Sequence, residues 1–188
     1  MIRQVEYFEK PGKENSERCI EIVASLVDEG YKHLVVATTV GDTGVAVARR
    51  LHGKDANLVV VTHSAGFKEA NHFELLPENR DEIIRLGGKI YTGTILTHSI
   101  ETAFTQKFQG LYPTMIVAQS LRRFGEGPKV CCEIVMEACD GGLIPEFEEV
   151  VAVAGTGRGA DTVCIIKSAA SKRFFDLKVL EILAKPRG

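Results

Sequence analysis

Four short apolar runs, none alternating with polar residues, set the terms for this chain. They are LVVAT (Leu34 to Thr38), LVVVTHSAG (Leu58 to Gly66, ending in small and polar residues), VVAVA (Val150 to Ala154) and VCIIK (Val163 to Lys167). A strand with one wet face alternates; a run that is apolar throughout needs cover on both faces. A shorter strand is predicted near Lys89 to Tyr91 in GGKIYTGT. The cover has to come from the segments between, and several of these carry helical spacing.

In NSERCIEIVASLVDEG, residues Cys19, Ile22, Val23, Leu26 and Val27 follow the i, i+3, i+4 pattern of one buried helical face. Asn15 or Ser16 is placed to cap its start, and Gly30 to end it. VAVARRLHG reads as helix from Val45 to Gly53, and a helical region after the second run reaches about Leu86. THSIETAFTQKFQG places Ile100, Ala103, Phe104 and Phe108 on one side. Two further helices are predicted between Tyr112 and Ile144, separated by FGEGPK, although MIVAQSL (Met115 to Leu121) also fits a strand. LKVLEILAK (Leu177 to Lys185) fits either type. The gap between the last two strand runs is too short for a helical crossover, which predicts antiparallel pairing there. The expected fold is α/β: a three-layer αβα sandwich around a mostly parallel mixed sheet with an antiparallel C-terminal part, all in one domain over residues 1–188.

Charge narrows the function classes. Lys and Arg number 23 against 25 Asp and Glu, a formal net charge of -2, and no basic stripe is present. This argues against a nucleic-acid or membrane-surface partner. No apolar run approaches the roughly 20 residues of a membrane helix, and the start of the chain lacks a signal-peptide pattern. The five cysteines (Cys19, Cys131, Cys132, Cys139 and Cys164) form no C-x-x-C pair. No metal site is expected, and a reducing cytoplasm is the expected location. Cys131 and Cys132 are expected to pack in a helix and Cys164 in a core strand.

In open α/β sheets ligands collect beyond the carboxyl ends of the parallel strands. There this chain places Thr38, Thr39, Gly41, Asp42, Thr43 and Gly44 after the first run, and Thr62, His63 and Ser64 after the second. Thr92 and Gly93 follow the short strand, and Gly155, Thr156, Gly157, Arg158 and Gly159 the next. Glycine lets several backbone N–H groups approach one oxyanion, hydroxyls add uncharged donors, and a helix start adds free amides. Arg158 is suited to a bidentate phosphate contact. Asp42 would repel phosphate and is expected to cap the next helix or hold a ligand hydroxyl. His63 is the histidine placed to face a ligand; His72 and His98 are expected to be solvated or capping. VGDTG is neither a P-loop nor a dinucleotide fingerprint, and GTGRGA fits the looser dinucleotide pattern but precedes a strand. No nucleophile elbow is present, and no catalytic residue is assigned.

With these loops in view, the chain resembles the C-terminal α/β domain of pyruvate kinase, and the small proteins built from that domain alone. LVVATTVGDTGVAVARRL resembles the family's strand–loop–helix that holds an effector phosphate, and VVAVAGTGRGADTVCII its later strand–glycine loop–strand. The first helix and the helix of Lys129 to Gly142 fall in the corresponding order. The turn departs from the family pattern: Val40, Gly41 and Asp42 stand where a basic residue is usual. The resemblance implies no kinase activity, because phosphoryl transfer belongs to a separate barrel domain. It implies bound flavin mononucleotide (FMN), a cofactor associated with the stand-alone members. The expected function is therefore binding of a phosphate-bearing small molecule, FMN first. The alternatives are a flavin-dependent reductase or phosphate-group hydrolase using His63 or Asp42, and a regulatory module that forms a homo-oligomer.

Overall fold

A computed structural model describes residues 2–188. In chain order its elements are β1 (Glu6–Phe8), α1 (Ser16–Asp28), β2 (His33–Ala37), α2 (Asp42–Leu51), β3 (Asn57–Thr62), α3 (Pro77–Arg85), β4 (Lys89–Thr92), α4 (Ile100–Phe108), α5 (Pro113–Leu121), α6 (Glu126–Asp140), β5 (Glu149–Ala154), β6 (Thr162–Lys167) and β7 (Lys178–Pro186).

One seven-stranded sheet runs in the order β1-β7-β6-β5-β2-β3-β4. β5, β2, β3 and β4 are parallel neighbours, β6 is antiparallel to both β5 and β7, and β1 is parallel to β7. Along the central strands, alternate residues serve opposite layers. Leu34, Val36, Leu58, Val60, Val151 and Val153 pack with Val23 of α1, Val47 of α2 and Ile83 of α3. Val35, Val59, Val150 and Ala152 turn the other way, onto Cys131, Ile134, Val135 and Ala138 of α6. Both faces are therefore covered, as unalternating runs require, and the three-layer mixed sandwich is the observed architecture. Among the described residues, no helix is long and apolar enough to cross a membrane.

The ambiguous segments resolve through their neighbours. MIVAQSL lies in helix α5, which begins at Pro113, where a missing N–H costs no hydrogen bond. LKVLEILAK falls in strand β7 (Lys178–Pro186), which fills the edge that β6 would otherwise expose. Four boundaries differ from the sequence expectation. No helix covers residues 67–76: Asn71 sits at φ 62 and Leu76 is extended ahead of Pro77, as residues before proline tend to be. Helix α2 starts at Asp42 instead of Val45. Most of FGEGPK lies inside α6, because Gly127 and Pro128 occupy its first turn, where neither breaks a helix. Strand β1 is absent from the sequence expectation because only three residues, Glu6–Phe8, pair at the sheet edge, too few to form a run.

Neither Asn15 nor Ser16 caps α1 with its side chain. The Ser16 hydroxyl instead accepts the N–H of Ala160 at 2.9 Å, tying α1 to the loop between β5 and β6.

Helix α6 passes so close to β6 that a Cβ at Gly127 would lie 2.0 Å from Thr162 Oγ1 and 2.4 Å from its Cβ. Gly→Ala in a helix ordinarily stabilises by up to about 1 kcal/mol. Here the sign reverses. Gly127→Ala should lower stability by about 2 kcal/mol through overpacking, read as a lower urea midpoint with an unchanged slope.

Candidate functional site

The chain leaves β2 toward β3, and leaves β5 toward β6, in opposite directions along the sheet. A crevice opens between two strands that diverge in this way. It holds a cavity of about 280 Å³, walled by the β2–α2 turn, the β5–β6 loop, the end of β3 and the inner face of α6.

The β2–α2 turn is held from below. The Thr38 hydroxyl accepts the Gly41 N–H at 3.1 Å, and Asn79 Nδ2 donates to the Val40 carbonyl at 2.9 Å. Gly41 takes φ 103 at the N-cap of α2, a conformation that strains side-chain-bearing residues. Its own hydrogen faces Asn79 and Leu75, so it shapes the turn without lining the cavity. Thr38, Thr39, Asp42 and Thr43 do line it. Asp42 is the first helical residue and not the cap. Its Oδ1 accepts the Thr43 N–H at 3.0 Å, and Oδ2 stands 3.7 Å from Arg158 Nη2. Both side chains of that ion pair are about half exposed, so it adds little stability.

Asp161 organises the glycine loop. Its carboxylate is fully buried, accepting the N–H groups of Thr156 at 3.0 Å and Gly12 at 3.1 Å and the Thr162 hydroxyl at 2.9 Å. At Gly159, with φ 76, a Cβ would meet the Lys13 backbone at 2.5 Å. The loop thus lies against the N-terminal segment while Gly155, Gly157, Arg158 and Gly159 face the cavity.

The opposite wall is α6. Lys129, Glu133 and Glu137 recur every four residues, face the cavity and are buried. Lys129 Nζ pairs with Glu133 Oε2, while Glu133 Oε1 accepts the Thr97 N–H at 2.8 Å and its hydroxyl at 2.7 Å. Burial alone would raise the Glu133 pKa, but Lys129 and Thr97 together bring it below the ordinary carboxylate value. Glu137 has weaker help, from the Leu96 N–H and the Lys129 charge. Burial, then the Glu133 charge, pushes its pKa up to about 8, so it is largely protonated at neutral pH. At the end of β3, His63 Nδ1 lies 2.6 Å from Glu74 Oε2, and Lys68 Nζ contacts the other Glu74 oxygen at 2.5 Å. Phe67 stacks near His63, ring centroids 4.2 Å apart, and His98 stands at the rim.

Of the residues singled out from sequence, Thr38, Thr39, Asp42, Thr43, Thr62, His63, Gly155, Gly157, Arg158 and Gly159 line this one cavity. Gly41, Gly44, Ser64, Thr92, Gly93 and Thr156 do not. Gly44 faces Val60 and Ile83, where its bare Cα lets α2 approach β3. The Ser64 carbonyl accepts the Phe67 N–H, starting the turn that leads away from β3. Thr92 Oγ1 pairs with Thr62 Oγ1 at 2.7 Å, and Gly93 lies against the Tyr91 ring. Thr156 gives its N–H to Asp161. The α6 trio was missed. Its signal is three charged residues four apart on a helix whose other charges, Glu126 and Asp140, sit at its two ends, a pattern usually belonging to a solvated face. The cysteines offer no nucleophile: all five are buried, and burial pushes Cys19, Cys132 and Cys139 up to about 12. No protein-family model matches this chain.

Asp161→Ala should cost about 3 kcal/mol by stranding the buried Thr162 hydroxyl and two part-buried N–H donors, and should speed hydrogen exchange at the Thr156 and Gly12 amides. Glu137 predicts a distinct pH dependence. Its folded pKa lies above its unfolded value, so between about 4.5 and 8 the folded protein holds the extra proton. Stability attributable to this group then falls as pH rises through that window. Glu137→Gln should be more stable than wild type at pH 8.5, the difference shrinking toward pH 5, on the order of a few kcal/mol at most. Urea unfolding at both pH values measures it.

Proposed function

We propose that this protein binds a small molecule bearing a phosphate group, with FMN the leading candidate, in the crevice between β2 and β5. One observation carries the reading: the Thr38–Thr43 turn and the Gly155–Gly159 loop, distant in sequence, line the same cavity. The first turn of α2 supplies amides that no intrahelical carbonyl reaches, and a positive dipole end. Thr38, Thr39 and Thr43 bring hydroxyls, and the glycine loop brings close backbone and Arg158. The resemblance of these two motifs to the pyruvate kinase C-terminal domain supports the same ligand class. Phe67, its ring tilted 37° from that of His63, adds an aromatic wall to the cavity. The cavity lies at the small end of the range for ligand sites. A ligand as large as FMN would therefore extend part of its length through the mouth.

Asp42 shares Arg158 with any incoming phosphate. Arg158→Ala should weaken FMN binding about tenfold through loss of a charge-assisted contact, whereas Asp42→Asn should strengthen it by removing a competitor. Flavin fluorescence titration reads both. Undiminished affinity in Arg158→Ala would remove the glycine loop from the site.

A second reading, an enzyme acting at this ligand, draws on the His63–Glu74 pair. A carboxylate on Nδ1 fixes the ring and leaves Nε2 to exchange a proton. On this reading, His63→Ala lowers turnover of a reacting flavin or phosphate ester at least about a hundredfold with ligand affinity little changed. Equal turnover would leave binding as the function.

A further inference from the structure

Lys129, Glu133 and Glu137 are each 5% exposed or less, and all three face the cavity. Charged groups held this deep are unfavourable unless partners satisfy them. The fold satisfies only some. Glu133 is saturated by Lys129 and Thr97. Lys129 directs one of its three protons to Glu133, leaving two without a protein acceptor. Glu137 receives one long contact, from the Leu96 N–H to Oε1 at 3.4 Å, and its second oxygen has no protein partner. A phosphate would find no net positive charge here, because Glu133 already neutralises Lys129 and Glu137 is largely uncharged. They suit the other end of a ligand.

We infer that this face of α6 is a second subsite that recognises an uncharged heterocycle with adjoining carbonyl and N–H groups, the chemistry of a flavin's pyrimidine edge. The inference deepens the phosphate-ligand reading and rests on it. Lys129 donates to a ring carbonyl, and the Glu137 carboxyl pairs with the edge as donor and acceptor. Val61, Ile95, Val130 and Ile134 supply apolar walls for the ring faces. The groups acting on Glu137 are Lys129, Glu133 and Asp140 on α6, Tyr91 on β4 and the Leu96 amide. With Glu137 titrating at about 8, its donor is lost as pH rises, and ring affinity falls with it.

The test is calorimetric titration of wild type, Glu137→Leu and Glu137→Gln with three probes: FMN, riboflavin (the ring without phosphate) and inorganic phosphate. Glu137→Leu should weaken riboflavin and FMN by the same factor, about tenfold, and leave phosphate unchanged. Glu137→Gln, which keeps a donor and an acceptor, should stay within about threefold of wild type at pH 7. It should also lack the decline in riboflavin affinity that wild type shows from pH 7 to 9. A folded Glu137→Leu protein with undiminished riboflavin and FMN affinity overturns the subsite and leaves the phosphate reading standing. Wild type that binds phosphate but neither flavin does the same. Wild type that binds none of the three overturns both. Should Glu137→Leu fail to fold, the riboflavin pH profiles decide: identical profiles for wild type and Glu137→Gln overturn the subsite.

Discussion

β2 and β5 lie side by side, parallel and fully covered, with Leu34 opposite Val151 and Val36 opposite Val153. Almost everything distinctive about this molecule follows from that pairing. It is long-range in sequence, and it is stabilised by burial on both faces of the sheet, not by any local turn. Once it forms, the two strands must release the chain in opposite directions, and their carboxyl ends cannot close over one another. The cavity is the space left between them.

The walls of that space are built by different physics. On one side, backbone does the work: a threonine-capped turn, a helix start and a glycine loop whose shape is dictated by the buried Asp161 carboxylate. These offer fixed dipoles and few charges. On the other side, α6 offers a lysine and two glutamates in a row, with full hydrogen bonding for only one of them. The cavity is therefore polar in two senses, donor-rich at the loops and mixed at the helix. A ligand that is anionic at one end and neutral with hydrogen-bonding edges at the other matches both walls.

Much of this was legible in the residues. Unalternating apolar runs are a direct consequence of two-sided burial, so the sheet and its two helical layers could be read from them. The short gap between VCIIK and LKVLEILAK likewise announced antiparallel pairing. Boundaries were less readable. Residues 67–76 carry helix-compatible residue types, yet the extended conformation before Pro77 and the turn at Asn71 prevail. Within the site, Gly44 and Gly41 resemble phosphate-loop glycines by position. Contact with Val60 and Ile83, and with Asn79 and Leu75, shows that they serve packing and turn geometry. Sequence spacing cannot make this distinction, because it does not say which way a Cα hydrogen points.

The local order of apolar runs, caps and glycines by itself determined the class of fold and the rim where hydroxyls and glycines gather, since both depend on short-range periodicity and on which end of a strand a loop follows. Tertiary structure alone decided which of those loops meet. It also decided that Lys129, Glu133 and Glu137 face inward. A stripe of charge on a helix carries no sign of whether water or a cavity lies beside it, and only the packing of α6 against β2, β5 and β6 settles that.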